Sequence, residues 1–249
     1  MCALTFAALL WGEPNFMSNV QTETAPCPQC QTPLTIALYE TINSSLNPDV
    51  TARLMQGELF KYRCPNCGAT GQAFYPVLYN DVAHKVMVQF TATNDVNVAQ
   101  QYIEEHEKRK TQFEAAGFPM SDYRVVIDPN DLVEKAQIFD AGFDDRVMEV
   151  VKVFYKMSWL EENKFYRNAI FRFAKGTAES FFFVMDEQGN VLTRLRFGHD
   201  YYEMIKNTLR LDEIDSAVVN ENWAREYLDQ HIADFQSGDE GEAPDDTQK

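Results

Sequence analysis

The motifs Cys27-Pro28-Gln29-Cys30 and Cys64-Pro65-Asn66-Cys67 hold four of the five cysteines of this 249-residue chain. Each motif places two thiols on one tight turn, and the proline inside the motif fixes one backbone dihedral of that turn. Two such turns that face each other present four sulfurs in a tetrahedral arrangement, which is the coordination that structural Zn2+ sites use. The spacing therefore predicts a Zn2+ site whose ligands are Cys27, Cys30, Cys64 and Cys67.

Other uses of the same four cysteines stay open. Four thiolates can also hold iron, as in rubredoxin, and the cysteines can instead form two disulfides or redox-active pairs. The compartment decides between metal and disulfide, because disulfides persist where the surroundings are oxidising. No histidine lies beside either motif, so we expect four thiolate ligands. Gly68 follows the second motif, where a residue without Cβ lets the backbone fold close to a metal.

The region from Cys27 to about Tyr155 resembles the CpXC domain, a bacterial and archaeal family named after the doubled motif. Outside the two motifs, the resemblance is carried by Leu46-Asn47-Pro48-Asp49, Gln56-Gly57-Glu58-Leu59-Phe60, Tyr75-Pro76, Tyr79-Asn80-Asp81, residues 132–135, Ile138-Phe139-Asp140 and Arg146. The resemblance implies a zinc-ribbon fold and a metal held by the four cysteines of the motifs. It implies no activity.

The charge of the chain limits the classes of partner. Its formal net charge of −16 at pH 7 repels the phosphates of nucleic acids and anionic membrane surfaces. We therefore expect no membrane partner, and nucleic acid is disfavoured. A protein partner or self-association fits the composition, although nothing in the sequence names one. No apolar stretch reaches the ~18 residues that a membrane span needs.

The N-terminal residues bear on the compartment. The apolar run at residues 3–11 is short, and no Lys or Arg precedes Arg53. A secretory leader has a basic start and a small-residue cleavage site, so we expect none here, and Met17 is an alternative start. Because a cage of thiolates needs reduced cysteines, the sequence predicts a cytoplasmic protein.

The hydrophobic pattern predicts an α+β protein in four segments. Residues 1–24 are expected to be a disordered arm, and 237–249, rich in Gly, Ser, Pro and acidic residues, a disordered tail. Residues 25–160 form the predicted zinc-ribbon domain. A short helix inserted between the motifs is predicted to start at Asn47-Pro48, where an N-cap residue precedes a proline at the first helical position. Helices follow the second motif, and one of them is predicted to be capped by Asp128-Pro129. Residues 161–236 form the predicted C-terminal α+β domain, and the polar stretch 161–164 is the boundary between the two.

Alternating apolar residues predict the strands. In the ribbon domain, residues 33–42, 59–63, 70–79 and 84–91 are each predicted to form one strand. In the C-terminal domain, residues 166–174, 180–185 and 191–197 alternate and are joined by turns that contain glycine, as in hairpins. They predict a three-stranded antiparallel meander with helices packed on it.

Candidate catalytic residues do not form a recognisable set. His84, His106, His199 and His231 match no H-E-x-x-H motif, and no Ser or Cys lies in a nucleophile elbow. The polar residues Asp140, Asp144, Asp145 and Arg146 are best explained as a helix-to-helix turn with capping carboxylates. We therefore predict no catalytic residues and no cofactor-binding residues other than the four metal ligands.

These observations favour a non-enzymatic binding or assembly protein whose zinc is structural. The alternatives are a zinc-thiolate redox or metal sensor, which needs exposed sulfurs, a nucleic-acid-associated ribbon, and an enzyme that uses the C-terminal domain. Because the ribbon has few large apolar residues, we expect zinc to hold residues 34–88 folded. The C-terminal meander is expected to fold without it.

Overall fold

A computed structural model of the chain describes residues 20–117 and 121–236. The strands are β1 Val20–Pro26, β2 Pro33–Tyr39, β3 Thr41–Asn43, β4 Lys61–Arg63, β5 Thr70–Gln72, β6 Val77–Asp81, β7 Val86–Phe90, β8 Asp122–Val126, β9 Ile170–Ala174, β10 Phe181–Met185 and β11 Val191–Arg196. The helices are α1 Pro48–Met55, α2 Val96–Ala115, α3 Pro129–Asp140, α4 Asp145–Glu162, α5 His199–Thr208 and α6 Glu221–Gln236. The fold class is α+β, as the sequence predicts.

Two antiparallel hairpins carry the cysteine motifs. β1 pairs with β2 across the first motif, and β4 pairs with β5 across the second. The prediction that the arm is disordered up to residue 24 is wrong from Val20 onward, because these residues pair with β2. β1 is exposed along its whole length. Neither of its faces needs apolar residues, so its sequence lacks the alternation of apolar and polar residues by which strands are recognised. Residues 1–19 and the predicted tail lie outside the described residues.

A four-stranded mixed sheet in the order β3-β6-β7-β8 follows the hairpins. β6 and β7 are antiparallel, whereas β3 runs parallel to β6 and β8 runs parallel to β7. All five residues of β7 are buried, as expected for a central strand. Helices α1 and α3 pack together, and α3 also packs on β6, β7 and β8. This sheet therefore has a buried core of its own. The rings of Phe60 and Phe74, which flank the β4–β5 hairpin, lie 5.3 and 6.3 Å from the ring of Phe90 in β7.

Two of the strands predicted in the ribbon domain, 33–42 and 70–79, are each divided between two sheets. The predicted strand 33–42 ends its pairing with β1 at Tyr39, and β3 then joins the mixed sheet. The predicted strand 70–79 is interrupted between β5 and β6, where Pro76 has no backbone N–H to donate. The prediction of single strands is wrong here, because apolar alternation continues while the pairing partner changes.

The C-terminal part contains the predicted antiparallel meander in the order β11-β10-β9. Its core is aromatic: Phe171, Phe173, Phe182 and Phe197 are buried, and so is Tyr202 of α5. The rings of Phe173 and Phe182 lie 5.5 and 5.8 Å from the ring of Phe197. The alternation of these phenylalanines, visible in the sequence, is what places them on one face of the sheet.

The contacts of the chain divide it into two compact units at Gly142. The first unit comprises the described residues up to Gly142 together with Ser216–Val218, and the second comprises the remainder from Phe143 onward. The predicted boundary at 161–164 follows α4, whereas the contacts assign α4 to the second unit, where it packs on α5 and α6. The polar residues 161–164 mark the end of helix α4. The predicted domain boundary was placed there because it was inferred from polar composition, which is similar at a helix end and at a linker.

Candidate metal centre

The first cysteine motif is a tight turn that closes the β1–β2 hairpin. The N–H of Cys27 donates to the carbonyl of Thr32 at 2.8 Å, and the carbonyl of Cys27 accepts from the N–H of Gln31 at 2.9 Å. Gln31 adopts a left-handed conformation with φ of 61°, which is costly for a residue with a side chain. The turn directs both cysteines of the motif to one side.

The second motif repeats this turn at the end of the β4–β5 hairpin. The N–H of Cys64 donates to Ala69 at 2.7 Å, and the carbonyl of Cys64 accepts from Gly68 at 3.0 Å. Gly68 has φ of 74°, a conformation that glycine adopts without strain. Gly68 occupies the position that Gln31 holds in the first motif, so the two turns are equivalent in backbone but differ in strain.

The four sulfurs of the motifs meet in one cluster. The Sγ atoms of Cys27, Cys30, Cys64 and Cys67 all lie within 4.8 Å of one another. The Sγ of Cys27 is 3.8 Å from that of Cys67, and the Sγ of Cys30 is 3.6 Å from that of Cys64. A regular tetrahedron with metal–sulfur bonds of ~2.3 Å has sulfurs ~3.8 Å apart, whereas a disulfide bond measures ~2.05 Å. The four sulfurs are therefore close enough together to hold one metal ion, and their separations are too long for disulfide bonds.

The cluster replaces most of the apolar core of the hairpins. Cys27, Cys64 and Leu34 are buried together, and Cys30, Tyr62 and Ala69 are partly buried against them as the remaining members of the cluster. Cys67 is exposed. Since Leu34 is the only large aliphatic side chain of this cluster, the hairpins bury too little apolar surface to be stable without a further link.

Hydrogen bonds surround the sulfur of Cys30. Its Sγ lies 3.3 Å from the hydroxyl of Thr32, and the side-chain amide of Asn66 donates to it at 3.6 Å. Hydrogen bonds from the side chain and backbone of Thr32 and from Asn66 lower the pKa of Cys30 to about 5. Sequence reasoning did not identify Thr32 or Asn66, although polar residues in and after a C-x-x-C turn are candidates for such second-layer donors.

The other two cysteines with shifted pKa values move in opposite directions. Hydrogen bonds from the backbone N–H groups of Cys67 and Asn66 lower the pKa of Cys64 despite desolvation. The N–H of Ala69 lowers the pKa of Cys67, but desolvation and the neighbouring cysteines outweigh it and raise that pKa to about 12. Four adjacent thiolates repel one another, so full ionisation of the cluster requires a cation between them. The donor set fits a divalent metal such as Zn2+.

The four histidines lie on different elements. The Nδ1 of His84 is 2.9 Å from the buried carboxylate of Asp81, and His106 of α2 stacks on Tyr123 with ring centroids 3.9 Å apart. His199 begins α5 on the surface, and the Nδ1 of His231 in α6 lies 2.9 Å from a backbone carbonyl. The Nε2 of His199 lies 3.9 Å from the carboxylate of Glu203, so each histidine has a local contact that explains it.

Asp144 and Arg146 form a capping arrangement at the start of α4. A side-chain oxygen of Asp144 accepts from the backbone N–H of Arg146 at 2.9 Å, and the guanidinium donates back to the same carboxylate. Arg146 also donates to the carbonyls of Leu211 and Ile214, at 3.1 Å each. The interpretation of this polar stretch as a helix start is confirmed for Asp144.

A family model described as CpXC protein matches residues 25–152, just over half of the chain, with both cysteine motifs inside the match. The chain belongs to the CpXC family. The family resemblance inferred from the motifs and their flanks is thus confirmed. No curated protein and no solved structure matches the chain.

Family membership and the sulfur cluster are together compatible with a metal-binding module. The CpXC match ends inside α4, ten residues before that helix ends. Within residues 20–117 and 121–236, none of the helices combines the length and the apolar content that a bilayer span requires.

Proposed function

We propose that this CpXC protein is a non-enzymatic binding or assembly protein in which Cys27, Cys30, Cys64 and Cys67 hold one structural Zn2+. The observation that carries the proposal is the convergence of four sulfurs, all within 4.8 Å, between two hairpins that share almost no apolar core. A closed set of four thiolates leaves no open position for a substrate, unlike catalytic zinc sites, which keep one.

Second-layer contacts support the structural role. Asn66 of the second motif donates at 3.0 Å to the hydroxyl of Thr32, which follows the first motif. This contact fixes the two turns relative to each other and orients donors toward Cys30. Such outer contacts hold metal ligands in position and are typical of sites built for stable binding.

The test is the metal stoichiometry of reduced, purified protein. Elemental analysis is expected to give one zinc per chain, and Cys64→Ser is expected to lose it because a buried thiolate ligand is removed. Cys2→Ser is the matched control and should retain the zinc, since Cys2 belongs to neither motif. Absence of metal from the reduced protein, or iron in place of zinc, would contradict the proposal.

A second candidate is a zinc-thiolate redox or metal sensor. The observation that favours it is the exposure of Cys67, because an accessible sulfur can be oxidised or can exchange metal. The rate of alkylation in the zinc-loaded protein separates the two candidates. Slow alkylation with no zinc release supports the structural role, whereas zinc release with the first modified thiol supports the sensor.

The proposed partner is a protein, either another protein or a second copy of this chain. The net charge of −16 disfavours nucleic acid, and no membrane partner is proposed. Because the thiolates must stay reduced, the proposed compartment is the cytoplasm. Identification of proteins that co-purify with the zinc-loaded chain, compared with the Cys64→Ser variant, tests whether the ribbon takes part in the contact.

A further inference from the structure

The second unit contains a groove of about 730 Å3. It is lined by the C-terminal half of α4, by β11 and by the first turn of α5. Its volume lies within the range of sites that bind small molecules, ~300–1,000 Å3. The groove is remote in sequence from the cysteine motifs and plays no part in the metal centre.

Four aromatic side chains line the groove: Phe154, Tyr155, Trp159 and Tyr201. Tyr155 and Trp159 are four residues apart, so they share one face of α4. The hydroxyl of Tyr155 accepts from the N–H of Gly198 at 2.9 Å and donates to the carbonyl of Arg196 at 3.2 Å. These bonds fix the ring of Tyr155, and the ring of Tyr201 lies 5.8 Å from it.

Two carboxylates border the aromatic rings. Glu161 and Glu162 line the groove, and neither forms an ion pair with a residue that the structure describes. The guanidinium of Arg196, the positive charge in the lining, is held by Glu179 at 2.6 Å. The groove therefore combines aromatic faces with unneutralised negative charge.

The position of these glutamates in α4 is unfavourable for the helix itself. The last turn of a helix carries partial negative charge from its carbonyls, so basic residues are favoured there and acidic ones are not. The last turn of α4 has no basic residue and ends in Glu161 and Glu162. The side-chain amide of Asn163 caps the carbonyl of Trp159 at 2.8 Å, but no basic residue in the last turn offsets the charge of the two carboxylates. A local rule broken in this way is a feature of functional sites. A bound cation would supply the missing compensation.

We propose that this groove binds an organic cation, namely an alkylammonium group that contacts the aromatic faces while Glu161 and Glu162 neutralise its charge. Aromatic rings attract such cations through their quadrupole, and quaternary ammonium ligands are bound in this way. An anionic ligand would meet the two carboxylates and is excluded. The ammonium can belong to a free small molecule or to a lysine side chain.

The experiment is calorimetric titration of the full-length, zinc-loaded chain with choline. The matched control ligand is 3,3-dimethylbutan-1-ol, which has the same shape as choline and no charge. Choline is expected to bind about tenfold more tightly than the alcohol. A peptide with one central lysine forms the second arm, and the tighter of choline and peptide identifies the source of the ammonium. Equal affinity for choline and alcohol, or no saturable binding below ~10 mM, overturns the proposal.

Variants assign the binding to this groove. The double change Glu161→Gln and Glu162→Gln keeps the shape of exposed side chains and is expected to weaken choline binding about tenfold. Glu213→Gln, in the 3-10 turn Leu211–Glu213 outside the groove, removes one charge elsewhere and should leave the affinity unchanged. Trp159→Phe should retain most of the affinity, whereas Trp159→Leu should lose it. Unchanged affinity in the double variant overturns the assignment.

Discussion

The hairpins of the first unit and the meander of the second are stabilised by different means. Each hairpin strand contributes few buried apolar residues, and the shared buried cluster is centred on Cys27, Leu34 and Cys64. The meander instead buries Phe171, Phe173 and Phe182 on one face. Burial of apolar side chains stabilises the meander without any bound group. A cluster of four thiolates, in contrast, stabilises the hairpins only when a cation offsets the repulsion between the sulfurs. The two regions should therefore respond in opposite ways to loss of metal and to loss of apolar volume.

Chelation of zinc under reducing conditions should have the largest effect. A structural zinc contributes ~10–16 kcal/mol of apparent binding free energy, which rivals the ~5–15 kcal/mol stability of a whole domain. Amide protection should disappear from β1, β2, β4 and β5 and persist in β9–β11, as measured by hydrogen exchange with mass spectrometry.

The structure narrows the region that depends on the metal. The sequence-based expectation extended over residues 34–88, but β6 and β7 belong to the mixed sheet, where Tyr79, Val88 and Phe90 are buried. We therefore expect β6 and β7 to keep their protection after chelation. Unchanged exchange in both hairpins after verified zinc removal would contradict the structural role of the metal.

Truncation of the aromatic core is the opposite perturbation. Phe182 is completely buried, and Phe182→Ala should cost the second unit ~3–5 kcal/mol, because transfer free energy and packing are both lost. Thermal unfolding should show a lower midpoint for the second unit. The zinc content should stay at the wild-type value, and a loss of zinc in this variant would show that the two regions are coupled.

An ion pair in the second unit gives a pH-dependent contribution. Burial raises the pKa of Glu221, but hydrogen bonds and charge from Lys156 and Arg225 outweigh this and leave the pKa below its usual value. A depressed carboxyl pKa stabilises the fold above the unfolded value of ~4.3, and the stabilisation is lost as pH falls through the folded pKa. Glu221→Gln should therefore cost ~1–3 kcal/mol at pH 7.

The check is denaturant unfolding of both proteins as a function of pH. The difference in the free energy of unfolding between wild type and Glu221→Gln should shrink below pH ~4, where the wild-type carboxyl is protonated. Arg225→Gln is the weaker control, because Lys156 still bonds both oxygens of Glu221, at 2.9 and 3.0 Å. A difference that is constant with pH would exclude the ion pair as its cause.

The smallest expected effects come from the two left-handed residues of the cysteine turns. A Cβ on Gly68 would meet nothing nearer than Arg63 at 3.9 Å, so the cost of Gly68→Ala, ~1 kcal/mol, comes from backbone strain alone. Gln31→Gly should relieve the same kind of strain and stabilise the fold by only ~0.5 kcal/mol. The gain is small because glycine loses more conformational entropy on folding, which offsets part of the relieved strain. Zinc affinity by chelator competition should fall severalfold in the first variant and rise slightly in the second. If both variants changed the zinc affinity in the same direction and by the same factor, backbone strain would not be what distinguishes the two turns.

Local signals in the sequence predicted several elements because their causes are local. The cysteine spacing predicted the four residues whose sulfurs converge, and Asp128-Pro129 predicted the start of α3, where the side chain of Asp128 accepts from the N–H of Asn130. At Asn47-Pro48 the helix begins as predicted, but the Asn47 side chain forms no capping bond and instead accepts from the N–H of Asn43.

The sequence by itself determined the class of the protein. The doubled cysteine motif, the glycine in the second turn and the alternating phenylalanines of the meander act through spacing of two to four residues, so they can be recognised without knowing what lies opposite. On that basis the α+β class, the family and the candidate ligands were predictable.

Tertiary structure decided what depends on partners distant in the chain. β1 is a strand only because β2 lies beside it, and residues 70–79 divide because β5 and β6 pair with different strands. The assignment of α4 to the second unit depends on the helices against which it packs. The groove likewise joins residues of α4, β11 and α5 that are up to 47 positions apart, from Phe154 to Tyr201. Strand pairing and helix packing depend on how well two surfaces distant in the chain fit each other, and local sequence patterns do not show which surfaces will meet.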